Sequence, residues 1–226
     1  MGIPAVFTLA PATADDDGIS VSQTPLAAGN LTITGALASG GVASLCTLAA
    51  PAERQVLITQ AAGEGGKSIT LYGTALGGGQ TIAGAPKTEV VSLGAGAGTV
   101  VSVAGFSTIT RAAISAAASG AIKIGTNGVA FTPWQSLSTF FGPVDVGIAV
   151  AITGTINYTV QYTYDPFWDL AAELVQTFNL PALTGKTTTA DAPVSGLTVT
   201  GVRLQINSFS ASATAKLTVI QAGVHN

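Results

Sequence analysis

Charge is what this sequence has least of. Only 8% of its 226 residues are Asp, Glu, Lys or Arg, against roughly 25% in ordinary soluble domains. The net charge is -3 and the pI near 4.9. Lys67, Lys87, Arg111, Lys123, Lys186, Arg203 and Lys216 are scattered along the chain. A nucleic-acid-binding protein normally gathers such residues into a basic patch, so no nucleic-acid partner is expected. Cys46 is the only cysteine, which excludes an intrachain disulfide and any multi-cysteine metal site. It sits in the apolar run LCTL and is expected to be a buried small side chain. His225 is the only histidine, and its place near the last residue is a poor one for a Ser-His-Asp arrangement. No uninterrupted apolar run reaches membrane-spanning length; the nearest, Phe140 to Ile152, contains Pro143, Asp145 and Gly147. No signal-peptide order is visible at the start, so a soluble protein made in the cytoplasm, with no membrane partner, is expected.

What is present is β-pattern. A mean hydropathy of +0.53 does not fit a disordered chain, which combines low hydrophobicity with high net charge. The stretch VDVGIAVAITGTINYTVQYTY, Val144 to Tyr164, alternates strictly. Val144, Val146, Ile148, Val150, Ile152, Ile156, Tyr158, Val160, Tyr162 and Tyr164 form one face, and small or polar residues form the other. A period of two is the mark of strands with one side on a core. The phase survives Gly154, which a two-residue hairpin would shift, so a bent strand or a three-residue loop is expected.

Shorter strand signals lie at Leu31 and Ile33, Gln55 to Thr59, Ile69 to Tyr72, Val90 to Leu93, Val100 to Val103 and Ile122 to Ile124, with Gly-rich joints between them. The pattern predicts a mainly β, antiparallel sandwich of jelly-roll type. Residues 1–30 read as an extended arm, 31–128 as one β-lobe and 129–226 as a second. Two stretches read as hairpins, Thr110 to Ile124 and Val202 to Ile220, and each leads from an Arg-bearing strand into a Lys-bearing one. That weak internal repeat favours related lobes. Asp165-Pro166 opens a segment in which Phe167, Leu170, Ala171, Leu174, Val175 and Phe178 recur at helical spacing. It predicts one short helix near 166–178.

Motifs for chemistry are thin. AAGEGGKS, Ala61 to Ser68, resembles a phosphate-binding loop only at its end. The first required glycine is Ala61, and a β-like segment follows where a helix is needed. Asp15, Asp16 and Asp17 are hard oxygen ligands, but they lack the spaced order of a calcium loop and read as a solvated turn. Asp165, Asp169 and Glu173 share a helical side, as a solvated helix face also does. No catalytic residue, metal or cofactor is expected. The aromatic patch FTPWQSLSTFFGP holds Phe131, Trp134, Phe140 and Phe141, which could cap a core or line an interface. Trp134, Phe140 and Phe141, with the uncharged positions Thr153, Thr155, Asn157, Thr159 and Gln161, are the candidate interface residues, because such a surface desolvates cheaply.

The segment APVSGLTVTGVRLQINSFSASATAKLTVIQAG resembles a recurring ending of virion structural proteins of tailed bacteriophages, through Pro193, Val194, Val202, Arg203, Leu204, Gln221, Ala222 and Gly223. Glu89 to Val91, Phe106 to Ile109, Lys123 to Thr126 and Gly154-Thr155 with Tyr158 to Val160 extend the resemblance over most of residues 30–223. It implies a component of the virion, a decoration or cement protein on the outside of the head that contacts the major capsid protein and copies of itself. It brings no catalytic residues. Two other classes fit the sequence: a host-recognition module whose Trp134 or tyrosines stack on glycans, and a tail-tube or connector subunit.

Overall fold

The computed structural model describes residues 4–46, 52–76, 84–138, 145–170, 174–194 and 199–221. The described residues form eighteen strands. The first nine are β1 (Ala5–Leu9), β2 (Asp15–Gln23), β3 (Gly29–Asn30), β4 (Ala38–Ser39), β5 (Val42–Ser44), β6 (Glu53–Gln60), β7 (Ser68–Thr74), β8 (Pro86–Ser92) and β9 (Gly98–Phe106). There follow β10 (Thr108–Ile114), β11 (Ile122–Phe131), β12 (Gln135–Ser136), β13 (Val146–Thr153), β14 (Ile156–Thr163), β15 (Phe178–Asn179), β16 (Ala190–Val194), β17 (Gly201–Phe209) and β18 (Thr214–Gln221). All pairings are antiparallel, so the mainly β expectation holds.

Three sheets share the strands. An eight-stranded sheet runs β15-β14-β17-β11-β6-β9, with β12 beside β17 and β2 beside β11. A four-stranded sheet, β1-β18-β13-β16, faces the β14 and β17 side of it, and a six-stranded sheet built on β5-β10-β7-β8 faces the β6 and β11 side. Two separate cores result. One gathers Ile148, Val150, Ile156, Tyr158, Leu204, Ile206 and Leu217; the other gathers Ile19, Val56, Ile58, Ile69, Leu71, Phe106, Ile109 and Ile124. The lobes are joined where β11 meets β17, at Ala130↔Ile206 and Phe131↔Gln205.

The alternating stretch is a strand that turns the corner of the sandwich. β13 lies in the four-stranded sheet and β14 in the eight-stranded sheet. Both aim their even-numbered residues at the same core, and the phase is therefore kept. Gly154 makes the turn with φ +77, a conformation that costs an L side chain about 1–2 kcal/mol. A second crossing is stacked on it. β17 and β18 are not a hairpin but pass between the same two sheets through Ser210 to Ala213, with Ser210 N donating to Thr155 O at 2.9 Å. The stretch Thr110 to Ile124 also crosses, since β10 and β11 lie in different sheets. Both expected hairpins fail for one reason: alternation says which face is buried, and a crossing preserves it as well as a hairpin does.

Residues 1–30 do not run out as an extended arm over the part described. β1 pairs along β18, β2 pairs with β11, and the link between them is tied down by Arg54, whose Nη2 donates to Ala12 O and Thr13 O. The expected helix near 166–178 is also absent among the described residues. Phe178 is in a strand against Tyr162, and Asp165 does not cap the segment it opens: its carboxylate accepts Gln176 N at 2.6 Å. Eleven residues of helix would hold those two points about 16 Å apart. Thr163 Oγ1 to Gln176 O and Thr200 Oγ1 to Asp165 O close the same loop. A 3₁₀ turn forms at Pro181–Leu183.

The stretch that resembled a phosphate loop has the opposite polarity. Glu64 is fully buried, and its carboxylate collects Ser119 N, Gly120 N and Lys67 Nζ. The Lys67 hydrogen bond and the two amides hold its carboxyl down at about 2, from 4.5. A depressed carboxyl stabilises the fold fully above its unfolded value, and that contribution drains as pH falls from 4.5 through about 2. Urea denaturation of Glu64→Gln across that window is expected to show a flatter pH dependence than wild type. Parallel curves for the two proteins would contradict this role.

Candidate functional site

A cleft of about 540 Å³ opens where the two lobes meet. One wall comes from the first lobe: Glu53 at the start of β6, Lys87 and Thr88 on β8, and Val103 to Gly105 on β9. The other comes from the second lobe: Trp134, the loop residues Phe167, Trp168, Leu170, Val175 and Thr177, and Arg203 on β17.

The aromatic wall is built by strand register. Phe131 lies opposite Gln205 and Glu53, and Gln161 lies opposite Arg203. The guanidinium of Arg203 packs 4.4 Å from the ring centre of Phe131 and 4.6 Å from that of Trp134. Such cation–π contacts strengthen as water is excluded. Trp134 stacks on Phe167 at 5.5 Å, and Phe167 meets Trp168 edge-on at 4.9 Å. Gly201 leaves room for this array, since a Cβ there would lie 2.5 Å from the Phe167 ring.

The charges are arranged unevenly. Lys87 Nζ binds both oxygens of Glu53, at 3.0 and 2.9 Å, and Gly105 O at 2.7 Å; Glu53 also accepts Leu76 N. That pair is satisfied. Arg203 donates its Nε to Gln161 Oε1 at 2.9 Å. Burial brings its pKa down to about 10, against the opposing pull of the Glu53 carboxylate. It still carries a full charge at neutral pH.

The residues singled out from sequence fall in several places. Trp134 is half-buried on the cleft wall, and Phe140 and Phe141 lie outside the described residues. Thr153 and Thr155 are exposed at the sandwich corner and Asn157 is half-buried. Thr159 and Gln161 are buried: Thr159 Oγ1 accepts Gly185 N and Asn207 Nδ2, while Gln161 is bonded to Asn179 and Arg203. The uncharged face is therefore open on β13 but used internally on β14. Cys46 is half-buried rather than enclosed, with its thiol pushed up by burial and then by Glu53. Asp15 to Asp17 belong to β2, not to a turn; their carboxylates come within 4.8 Å of one another, and Lys123 pairs with Asp16.

A different surface was not foreseen. Tyr164, Trp168, Leu170, Leu174 and Phe178 are all exposed, from 37% for Leu170 to 63% for Leu174. Tyr162 stacks on Phe178, and Tyr164 meets both rings edge-on, with ring centres 5.5 to 5.6 Å apart. Phe178 belongs to β15, the edge strand of the eight-stranded sheet, where it lies opposite Tyr162. Tyr164 ends the alternating face that the spacing places on a core, and Leu170, Leu174 and Phe178 recur at the spacing that predicts a helix; neither pattern reveals their exposure.

Comparison with models of known protein families gives no match, and no curated protein matches the chain.

Proposed function

We propose that this is a structural protein of a tailed-phage virion, a decoration or cement protein bound to the outside of the head as a homo-oligomer. The resemblance of residues 30–223 to such proteins motivates the reading. The observation that supports it best is the exposure of five large apolar side chains within fifteen residues, Tyr164, Trp168, Leu170, Leu174 and Phe178, on a chain with few charges to desolvate. Large exposed apolar patches on soluble proteins mark contact surfaces. Here the partner is the major capsid protein together with neighbouring copies. Binding only to the assembled shell stabilises that shell by mass action.

The test is to strip the protein from purified particles and challenge them with heat and osmotic shock. Stripped heads should rupture sooner and regain resistance when wild-type protein is added back. A Leu174→Lys, Phe178→Lys double variant should fold and fail to restore it. Equal resistance of stripped and intact heads would end the cement role.

A further inference from the structure

The inter-lobe cleft has a charge and shape that the shell contact does not use. Arg203 is only 7% exposed, yet it is one of the residues that line the cleft. Among the described residues, no carboxylate lies within 4.0 Å of it, and Gln161 is its one hydrogen-bond partner, through Nε. Glu53 and Lys87 cancel, so the described lining retains the positive charge of Arg203. A guanidinium whose faces rest on aromatic rings has its edge left to offer. Paired N–H groups on that edge match a carboxylate.

The rest of the lining is aromatic and hydroxylic. The Trp134 ring is already taken up by Arg203 and Phe167, but Trp168, exposed and met only edge-on by Phe167, gives a flat surface on which the C–H face of a pyranose ring can stack, and Thr88 and Thr177 offer hydroxyls. The volume falls within the range of roughly 300–1,000 Å³ usual for small-ligand sites. A peptide acid would also bring a carboxylate, but its main chain would seek an open strand edge. At the cleft the β9 amides of Val103 and Ala104 already donate to the buried Glu89 carboxylate, at 2.6 and 2.8 Å. We infer that the cleft binds an acidic oligosaccharide, with a hexuronate carboxylate on the terminal nitrogens of Arg203 and a sugar ring stacked on Trp168. This site is independent of the apolar shell contact, apart from Trp168 and Leu170 at their common border.

The chain's two tryptophans are Trp134 and Trp168, so their fluorescence reports on the cleft. Titration of the full chain with trigalacturonate is expected to shift the emission saturably, with calorimetry giving the same affinity. A neutral glucose trisaccharide should bind at least about tenfold more weakly, having no group for the guanidinium fork. Arg203→Lys keeps a charge but loses the fork, and should weaken trigalacturonate by about tenfold. Should that variant fail to fold, Trp168→Ala on the exposed rim serves instead. It should keep the wild-type melting temperature and bind several-fold more weakly by calorimetry. No saturable change up to about 10 mM ligand, a millimolar floor for recognition, would overturn the proposal. So would equal binding of the neutral sugar, undiminished binding by Trp168→Ala, or tighter binding of an uncapped tripeptide acid.

Discussion

Replacing Tyr158 by alanine is expected to lower the unfolding free energy by about 3–5 kcal/mol, the cost of deleting a large aromatic side chain from a packed core. Tyr158 is among the largest fully buried side chains, at 0% exposure, and lies in the core between the four- and eight-stranded sheets. Its hydroxyl donates to Thr188 O at 2.9 Å, and its backbone exchanges hydrogen bonds with Lys186. One residue thus fills the core and holds the 186–188 loop against the strand edge. Tyr158→Phe separates the two roles. It keeps the ring and should cost only about 1 kcal/mol, the net value of a typical hydrogen bond. Urea denaturation of the three proteins measures both. A loss below about 1.5 kcal/mol for the alanine variant would mean that this core collapses around the gap.

The second large effect belongs to Glu53. Its side chain is 7% exposed and that of Lys87 19%. Glu53→Ala would leave the Lys87 ammonium and Leu76 N without their carboxylate. Removing one member of a buried pair typically costs about 3–5 kcal/mol, because the other charge is stranded. Replacing both, as Glu53→Met with Lys87→Met, removes the stranded charge and should recover most of that loss. With Glu53→Met and Lys87→Met also measured singly, the loss in the double variant minus the two single losses is the coupling energy. If the double variant is as unstable as Glu53→Ala, then the Leu76 amide and the packing at Gly105 matter more than the ion pair. Gly105 is tightly placed, since a Cβ there would lie 2.7 Å from Glu53 Cβ and 2.8 Å from the Phe131 ring.

Strand faces were legible in the sequence because burial is written residue by residue. Val146, Ile148 and Val150 and then Ile156, Tyr158 and Val160 point inward as their spacing implied. What alternation does not encode is the strand partner, so two crossings between sheets passed for hairpins. The 166–178 segment misled for a related reason. Its apolar spacing is helical, but Phe167 is drawn into the space beside Gly201, and Asp165 reaches Gln176 across the loop. Tertiary contacts outweigh a propensity worth tenths of a kcal/mol per residue. The cleft was hidden more completely. Glu53, Lys87 and Arg203 lie far apart in sequence, each inside an ordinary strand or at its end. Trp134 alone gave a signal, and only that of an aromatic in need of company.

The pairing of β1 with β18 governs the order in which the protein can be made. Ala5 sits opposite Val219, so β1 leaves the ribosome well before the strand it must pair with. At about 5–20 residues per second the wait is some 10–40 seconds. β13 is in the same position, because its other neighbour besides β16 is also β18. The first lobe's core needs nothing beyond Ile124 and can close while the second is still being synthesised. A nascent chain halted before residue 214 would therefore present a finished half beside a sheet missing its middle strand. Such open edges recruit other chains.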